Sequence, residues 1–204
     1  MQSLHAATEG GNLQATVTHV ISNVPDAKGL AYAKQHNIQT SVVNHKDFNS
    51  REEFDQVLLA TIDSERPPEL VLLAGFMRRL TAEFTHHFSG RLINIHPSLL
   101  PAHPGLDTHH KALDSGDRWH GCSVHYVNAA LDGGPLIARG VVPVKIQDTE
   151  ATLAARVLAT EHQLYPTVAQ LCLHGGVACQ DSHVTINDTR LQNPLLYYLS
   201  LIHI

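Results

Sequence analysis

Apolar and polar residues alternate along the 204-residue chain with two different periods. Short apolar segments rich in β-branched residues are typical of buried strands, whereas apolar residues that recur every three or four positions are typical of helices. The predicted strands cover residues 16–22, 39–43, 70–74, 92–95, 122–126 and 136–144. The predicted helices cover residues 27–36, 51–65, 81–88, 109–115 and 150–173. Because strands and helices alternate, the sequence predicts an α/β fold with a mostly parallel sheet.

Composition narrows the class of protein. A chain of this length supports one large core, and the lack of an internal repeat or low-complexity linker favours a single domain over residues 1–196. The formal net charge of −5 argues against nucleic acid as a partner. Cys122, Cys172 and Cys179 lack the spacing of a metal site, and their odd number is typical of a reduced, cytoplasmic protein. No apolar run has the length of a membrane span, so a membrane partner is not expected either.

The segment RLINIHPSLLP, residues 91–101, contains the first candidate site. Asn94 and His96 lie two positions apart in a predicted strand, and therefore on the same face of it. Pro97, Pro101 and Pro104 stiffen the loop that follows, as suits the wall of a binding pocket. Ligands of α/β sheets bind beyond the carboxyl ends of the strands, so we expect a ligand site at His96.

Asp132 is the carboxylate expected to complete this site. It lies in the sequence LDGGP, residues 131–135, a glycine-rich turn between two predicted strands. Such a turn can bring Asp132 to the imidazole of His96, where it would orient the ring and favour its charged form. An amide donor, a histidine and an aspartate are suited to acyl transfer without a covalent intermediate.

Two rival chemistries are disfavoured by the sequence. Ser98 lies close to His96 but lacks the G-x-S-x-G elbow of a hydrolase nucleophile, and Cys122 follows a glycine in a predicted strand, where a buried structural thiol is the usual outcome. The 16 histidines are scattered, and His96, His125 and Asp132 lack a recognisable ligand spacing. We therefore expect no metal.

Several spaced motifs resemble the folate-dependent formyltransferases. They are NIHPSLLP at residues 94–101, HPG at 103–105, HGCSVH at 120–125 and LDGGP at 131–135. The resemblance extends from the first residues to about Leu196 and implies the Rossmann-like, doubly wound fold of that family. It implies transfer of a formyl group from the cosubstrate 10-formyltetrahydrofolate to the amine of glycinamide ribonucleotide, in de novo purine biosynthesis. It further implies a monomer or homodimer without a metal.

The resemblance also implies catalytic roles for three side chains. Asn94 and His96 would stabilise the oxyanion of the tetrahedral intermediate, with His96 held as an imidazolium by Asp132. Asp132 would assist, through water, the movement of a proton from the attacking amine to the folate nitrogen. The loss of one oxyanion donor typically costs roughly 3–4 kcal/mol of transition-state stabilisation.

Binding residues follow from the same resemblance. The residues implied to bind the folate are Arg51, Met77, Arg78, Arg79, Leu80, Asn94, Asn128, Ala129, Ala130, Leu131 and Asp132. The residues implied to contact the ribonucleotide substrate are Gly75, Pro97 and Glu161. Arg79 departs from the family pattern, in which this position is apolar, so a solvated arginine and a folate contact both stay open.

Three alternative functions stay open as well. One is another folate-dependent formyltransferase, although the acidic chain has no second, basic domain of the kind that methionyl-tRNA formyltransferase carries. Another is formyltetrahydrofolate hydrolase, although no regulatory domain precedes these motifs. The last is a truncated paralogue that binds folate without catalysis.

The amino terminus departs from the family pattern. The sequence GGNLQA at residues 10–15 is similar to the family's phosphate loop, but a helical pattern precedes it and a strand follows it. We interpret Gly10 and Gly11 as the end of a first helix, and expect the family's first strand and phosphate loop to be missing. Without that strand the sheet would have either a gap between two edges or a strained closure, with poor stability and weak ribonucleotide binding. Residues 197–204 form an apolar tail that the family pattern does not explain.

Overall fold

The computed structural model describes residues 1–64, 66–180 and 182–198 as an α/β fold. The helices are α1 (Gln2–Glu9), α2 (Lys28–Gln35), α3 (Arg51–Ile62), α4 (Ala82–His87), α5 (Thr108–Asp114) and α6 (Glu150–His174), with a short 3-10 helix at His45–Asp47. The strands are β1 (His19–Ser22), β2 (Gln39–Val42), β3 (Val71–Leu73), β4 (Leu92–His96), β5 (Trp119–Tyr126), β6 (Leu136–Pro143), β7 (Val177–Gln180), β8 (His183–Ile186), β9 (Thr189–Arg190) and β10 (Leu195–Tyr198).

A five-stranded sheet in the order β10-β6-β5-β4-β3 forms the larger part of the fold. β3 pairs with β4 and β10 pairs with β6 in parallel, whereas β5 runs antiparallel to both β4 and β6. The long helix α6 packs against β5 and β6. Its amino terminus is fixed by a capping box, in which the Thr149 hydroxyl accepts from the Thr152 amide and the Thr152 hydroxyl accepts from the Thr149 amide.

β1 and β2 form a separate parallel sheet of two strands. Within the described residues, no strand joins β1 to β3, and a cavity of about 920 Å³ lies between them. We call this cavity the slot. It is lined by residues 15–24, by residues 66–76, and by helical side chains that include Leu4, Leu58 and Phe84. The sheet therefore has the gap between two strand edges that we expected, rather than a strained closure.

The apolar core is divided in the same way as the sheet. One cluster surrounds α6 and the strands β4–β6, with Ile93, Val124, Ile137 and Leu153 fully buried. A second cluster packs α3 and α4 beside β3 and contains Phe54, Phe84, Phe88 and Leu92. Successive residues of β4 belong to different clusters, Leu92 to the second and Ile93 to the first, so both faces of this strand are packed.

The predicted α/β fold is confirmed, and most predicted elements lie within two residues of the observed ones. The strand predicted at 16–22 begins at His19, because residues 16–18 line the slot instead of pairing. Gly10 ends α1, as expected, and its amide donates to the Ala6 carbonyl. The small sheet β7-β8-β9 and strand β10 were not predicted. Tyr197 and Tyr198 of the proposed tail belong to β10, and the rest of that tail lies outside the described residues.

No helix in the described part of the chain is long and apolar enough to cross a membrane.

Candidate active site

Strand pairing places the first candidate side chains. β4 ends at His96, and its antiparallel pairing with β5 sets Asn94 opposite His125 and His96 opposite Ser123. Residues directly opposite on antiparallel strands have Cβ atoms roughly 5 Å apart, so their side chains interact. The carboxyl end of β4 and the middle of β5 therefore supply one common wall, built from residues that are far apart in sequence.

Both ring nitrogens of His96 face oxygen acceptors. Nε2 lies 3.1 Å from the carbonyl oxygen of His103, and Nδ1 lies 3.6 Å from Oδ2 of Asp132. The side chains of His96 and Asp132 are 8% and 11% exposed, so both are largely shielded from water. A doubly protonated imidazolium satisfies both acceptors, because each nitrogen then carries a proton to donate.

Asp132 joins two loops at this point. Its Oδ2 accepts a hydrogen bond of 2.9 Å from the amide of Gly105, and its backbone is left-handed, with φ of 48°. Gly134 allows the turn to close, since a Cβ there would overlap the carbonyl oxygen of Tyr126. The sequence LDGGP thus fixes the carboxylate of Asp132 between His96 and the loop that follows β4.

His125 is a site residue for which the sequence suggested no role. Its Nδ1 donates to the carbonyl oxygen of Tyr126 at 2.9 Å, and Asn94 Nδ2 lies 3.4 Å from its Nε2. Burial lowers the pKa of His125, which favours the neutral ring with an acceptor at Nε2. The ring therefore orients the amide of Asn94, and one amide hydrogen remains available for a ligand.

Hydrogen bonds of Ser98 and Ser123 hold the loop after β4 rigidly. Ser123 Oγ donates to the Ser98 carbonyl at 2.7 Å and accepts from the Leu100 amide at 3.0 Å. Ser98 is fully buried, and its hydroxyl donates to the Ala102 carbonyl at 2.7 Å. Burial raises the pKa of the Cys122 thiol to about 12. Ser98 and Cys122 are therefore structural, in agreement with the sequence argument against a nucleophile.

A cleft of about 450 Å³ opens in front of these side chains. It is lined by residues 73, 75–80, 94–97, 105–109, 125, 127–132 and 150. Three large apolar side chains on its walls are exposed, namely Met77 at 72%, Leu106 at 62% and Leu131 at 55%. Exposed apolar side chains gathered at a cleft mark a ligand site, and these suit a flat aromatic group.

Arg78 and Arg79 add positive charge to the wall that carries Met77. The guanidinium of Arg78 lies over the ring of Phe54, 5.1 Å from its centroid. Asp55, which follows Phe54 in α3, accepts from the Thr81 amide at 2.6 Å, and so fixes the end of the segment that carries Arg78 and Arg79. Arg79 is exposed to the cleft, and an anionic group in it would meet this charge.

The structure brings most of the predicted site residues together. Of the residues implied to bind folate, all except Arg51 line the cleft, as do Gly75 and Pro97. Arg51 begins α3 and has its guanidinium 3.5 Å from Glu52. Glu161 lies on α6 and does not line the cleft; burial raises its pKa to about 7. The functional roles of all these residues stay predictions.

In the described part of the chain, no group of three or more His, Cys, Asp or Glu side chains is arranged to hold a metal ion.

Comparison with known proteins gives a consistent result. Residues 1–169 match the family described as Formyl transferase. The phosphoribosylglycinamide formyltransferase of Escherichia coli (strain K12) is 43% identical over 191 residues, which cover 94% of this chain and 90% of that protein. The enzyme of the same name from Haemophilus influenzae is 37% identical over 182 residues, covering 89% and 85%. The solved structure of phosphoribosylglycinamide formyltransferase from Coxiella burnetii superimposes with a TM-score of 0.91 at 43% identity, covering 96% of this chain and 92% of that chain.

Proposed function

Because the chain belongs to the formyl transferase family, we propose that it transfers a formyl group from 10-formyltetrahydrofolate to the amine of glycinamide ribonucleotide, in de novo purine biosynthesis. The observation that carries this proposal is the convergence of Asn94, His96 and Asp132 at the inner end of one cleft. The apolar side chains at that cleft suit a pterin and its benzoyl group. The two arginines suit the carboxylates of the folate tail.

The three side chains act on charge that develops during the transfer. A carbon–nitrogen bond forms between the substrate amine and the formyl carbon, and the formyl oxygen gains negative charge. Asn94 Nδ2 is the hydrogen-bond donor for that oxygen, and the positive charge of the His96 imidazolium stabilises it electrostatically, in a site that largely excludes water. Asp132 balances the charge of His96 and would accept a proton from the amine, through water, and return it to the folate nitrogen as the second carbon–nitrogen bond breaks.

The ribonucleotide is expected to bind where the slot meets the cleft. Leu73, Gly75 and Phe76 line both the slot and the cleft, so the two cavities meet at the carboxyl end of β3. An amine held at this junction is near Pro97 and Asn94. The phosphate would then lie toward the slot, and Glu161 is proposed to contact the ribose from α6.

The test is an assay of formyl transfer with both substrates, run on the purified chain and on Asp132→Asn, His96→Ala and Asn94→Ala. His96→Ala and Asn94→Ala are each expected to lower kcat by about 10²- to 10³-fold, the usual effect of losing one stabilising group at an oxyanion site. Asp132→Asn is expected to lower kcat by about 10²- to 10⁴-fold, the usual contribution of general acid–base catalysis. Formate release that does not require the ribonucleotide would instead identify a hydrolase. Folate binding without turnover of either kind would identify a non-catalytic paralogue.

Location and assembly are also proposals. The three cysteines are unpaired thiols, which supports a reducing, cytoplasmic environment. We propose a monomer or homodimer that needs no nucleic acid, membrane or metal. Light scattering at two protein concentrations distinguishes the two assemblies, and chelation without loss of activity supports the absence of a metal.

A further inference from the structure

The second acceptor of His96 belongs to an unusual residue. His103 has a left-handed backbone, with φ of 51°, a conformation that only a few per cent of non-glycine residues adopt. In this conformation its carbonyl oxygen faces His96 Nε2 at 3.1 Å. A residue in such a conformation needs contacts that hold it there, because the backbone does not favour it.

The side chain of His103 supplies such a contact. Its Nε2 donates a short hydrogen bond of 2.6 Å to Oδ2 of Asp117. Asp117 is itself fixed in the turn before β5, where its amide donates to the Ala112 carbonyl at 3.1 Å. The side chains of His103 and Asp117 are 16% and 34% exposed, so the pair is only partly open to water.

We propose that the His103–Asp117 pair positions the catalytic imidazole. The pair holds the His103 carbonyl oxygen where it accepts a hydrogen bond from His96 Nε2, which keeps this nitrogen protonated and fixes the orientation of the ring. The proposal rests on the proposed formyl transfer, in which His96 acts as an imidazolium. Asp132 then forms an ion pair with His96 at Nδ1, and the His103 carbonyl accepts a hydrogen bond from Nε2. If the His103 carbonyl moves away, the imidazolium loses one of its two acceptors.

Two neighbouring histidines, His109 and His120, add no positive charge beside this pair near pH 7. His120 is buried beside His103 and His109, and its pKa is lowered to about 4, first by burial and then by these neighbours. Burial also lowers the pKa of His109, whose Nδ1 lies 3.1 Å from His120 Nε2. These two rings are therefore neutral near pH 7, and they hydrogen-bond to each other.

Two further groups face His96 and must be considered in any pH profile. His125 on β5 is held neutral by burial, and Asp132 is the carboxylate partner already described. Glu150, at the start of α6, acts electrostatically on His109 rather than directly on His96. Two cations also contact the loop that follows β4: the Lys111 ammonium donates to the Pro104 carbonyl at 3.4 Å, and the Arg139 guanidinium donates to the Leu100 carbonyl.

The test compares Asp117→Asn with Asp114→Asn in the full chain. Asp114 forms a similar pair with His110, at 3.1 Å, but both side chains are more than half exposed and neither lines the cleft, so this variant is a matched control. Asp117→Asn is expected to lower kcat about tenfold or more, as misplacement of a reacting group does, with little change in KM. It should also move the alkaline limb of the kcat profile to lower pH. Asp114→Asn should leave both unchanged, and Asp117→Glu should restore part of kcat.

A second variant and a second measurement keep the test independent of folding and of the assumed reaction. His103→Asn retains a residue that tolerates a left-handed backbone while removing the imidazole. In both variants, the titration of the His96 ring followed by NMR should move to lower pH, whether or not the chain transfers formyl groups. An unchanged His96 titration and an unchanged kcat profile in folded Asp117→Asn would overturn the proposal. Loss of transfer in the unmodified chain would count against the proposed function alone.

Discussion

Filling the slot with a strand should stabilise this fold substantially. The perturbation is a five-residue extended apolar segment, followed by Ser-Gly-x-Gly-Ser-Asn, joined in front of Met1. Met1 and Leu4 line the slot, so a segment added there begins beside it. β1 and β3 flank the slot on opposite sides, and each has a parallel strand partner on its other side only. A parallel strand between them would turn two sheets into one.

The size of the slot matches such a strand. One residue of a strand within a packed sheet occupies about 3.3 Å along the strand, 4.8 Å across it and 10 Å between layers, or about 160 Å³. The 920 Å³ of the slot therefore hold about five or six residues. Its walls include Leu4, Leu58, Phe84 and Leu173, which are suitable neighbours for apolar side chains on both faces of the added strand.

The expected gain follows from the same geometry. About eight backbone hydrogen bonds to the two edges contribute about 1 kcal/mol each. Three or four apolar side chains contribute about 2 kcal/mol each on burial. Ordering five residues costs about 2 kcal/mol per residue. The balance for the five strand residues, with the six-residue turn left unordered until a phosphate binds, is about 5 kcal/mol, which for a domain of this size raises Tm by roughly 10–20 °C.

The assay is calorimetric unfolding of the chain with and without the added segment, together with the affinity for glycinamide ribonucleotide. The control segment has the same length but carries Lys in place of its apolar residues, so it cannot enter the slot. The affinity should rise as well, because the glycine-rich turn supplies backbone amides for the phosphate. Equal Tm values for the apolar and the Lys segment would refute the reasoning, and would favour residues 10–15 as the phosphate loop.

Three further predictions each concern a single residue. Asp148→Asn breaks the pair of hydrogen bonds, each 2.7 Å long, that Arg156 donates to this carboxylate, and should lower the free energy of unfolding by about 1.5–3 kcal/mol at pH 7. Arg156 holds the pKa of Asp148 well below its usual range, so the difference between the two proteins should shrink when denaturant titrations are repeated toward pH 2. Gly134→Ala should cost about 1–3 kcal/mol and weaken folate binding, measured by calorimetry and fluorescence, because its Cβ would overlap the Tyr126 carbonyl. Burial raises the pKa of Glu161 in the folded chain to about 7, so the folded chain keeps a proton that the unfolded chain releases. The free energy of unfolding should therefore fall as pH rises from about 4.5 to 7. Glu161→Gln should remove this dependence on pH, and an unchanged dependence would contradict the burial of this carboxyl.

The regular elements could be predicted because their signals are local. Apolar segments of four to eight residues depend only on neighbouring residues, and most of the predicted strands appear where expected. The hairpin of β8 and β9 was missed although a signal exists. Asn187 and Asp188 form its two-residue turn, with φ of 48° and 61°, and residues of this type favour such turns. The flanking strands are only four and two residues long, which hid that signal.

The site was predictable only in part, since some of its contacts depend on pairing. Asn94, His96 and Asp132 could be named from spacing, turn chemistry and family resemblance. The contact between Asn94 and His125 requires the antiparallel register of β4 and β5, which a largely parallel pattern does not suggest. His103 contacts His96 through its backbone carbonyl, and the pattern of side chains in a sequence does not indicate where a backbone carbonyl will lie.

The divided sheet also bears on how the molecule opens. Long antiparallel ladders join β4, β5 and β6, and α6 packs against β5 and β6, whereas β1 and β2 pair only with each other in the described part of the chain. Local opening of a protein follows such units, and those with fewer ladder bonds open at lower free energy. Amide hydrogen exchange should therefore be fast in residues 19–42 and slow in residues 92–143, where Asn94, His96 and Asp132 lie. The wall that carries the chemistry would then persist while the neighbouring sheet of two strands opens and closes.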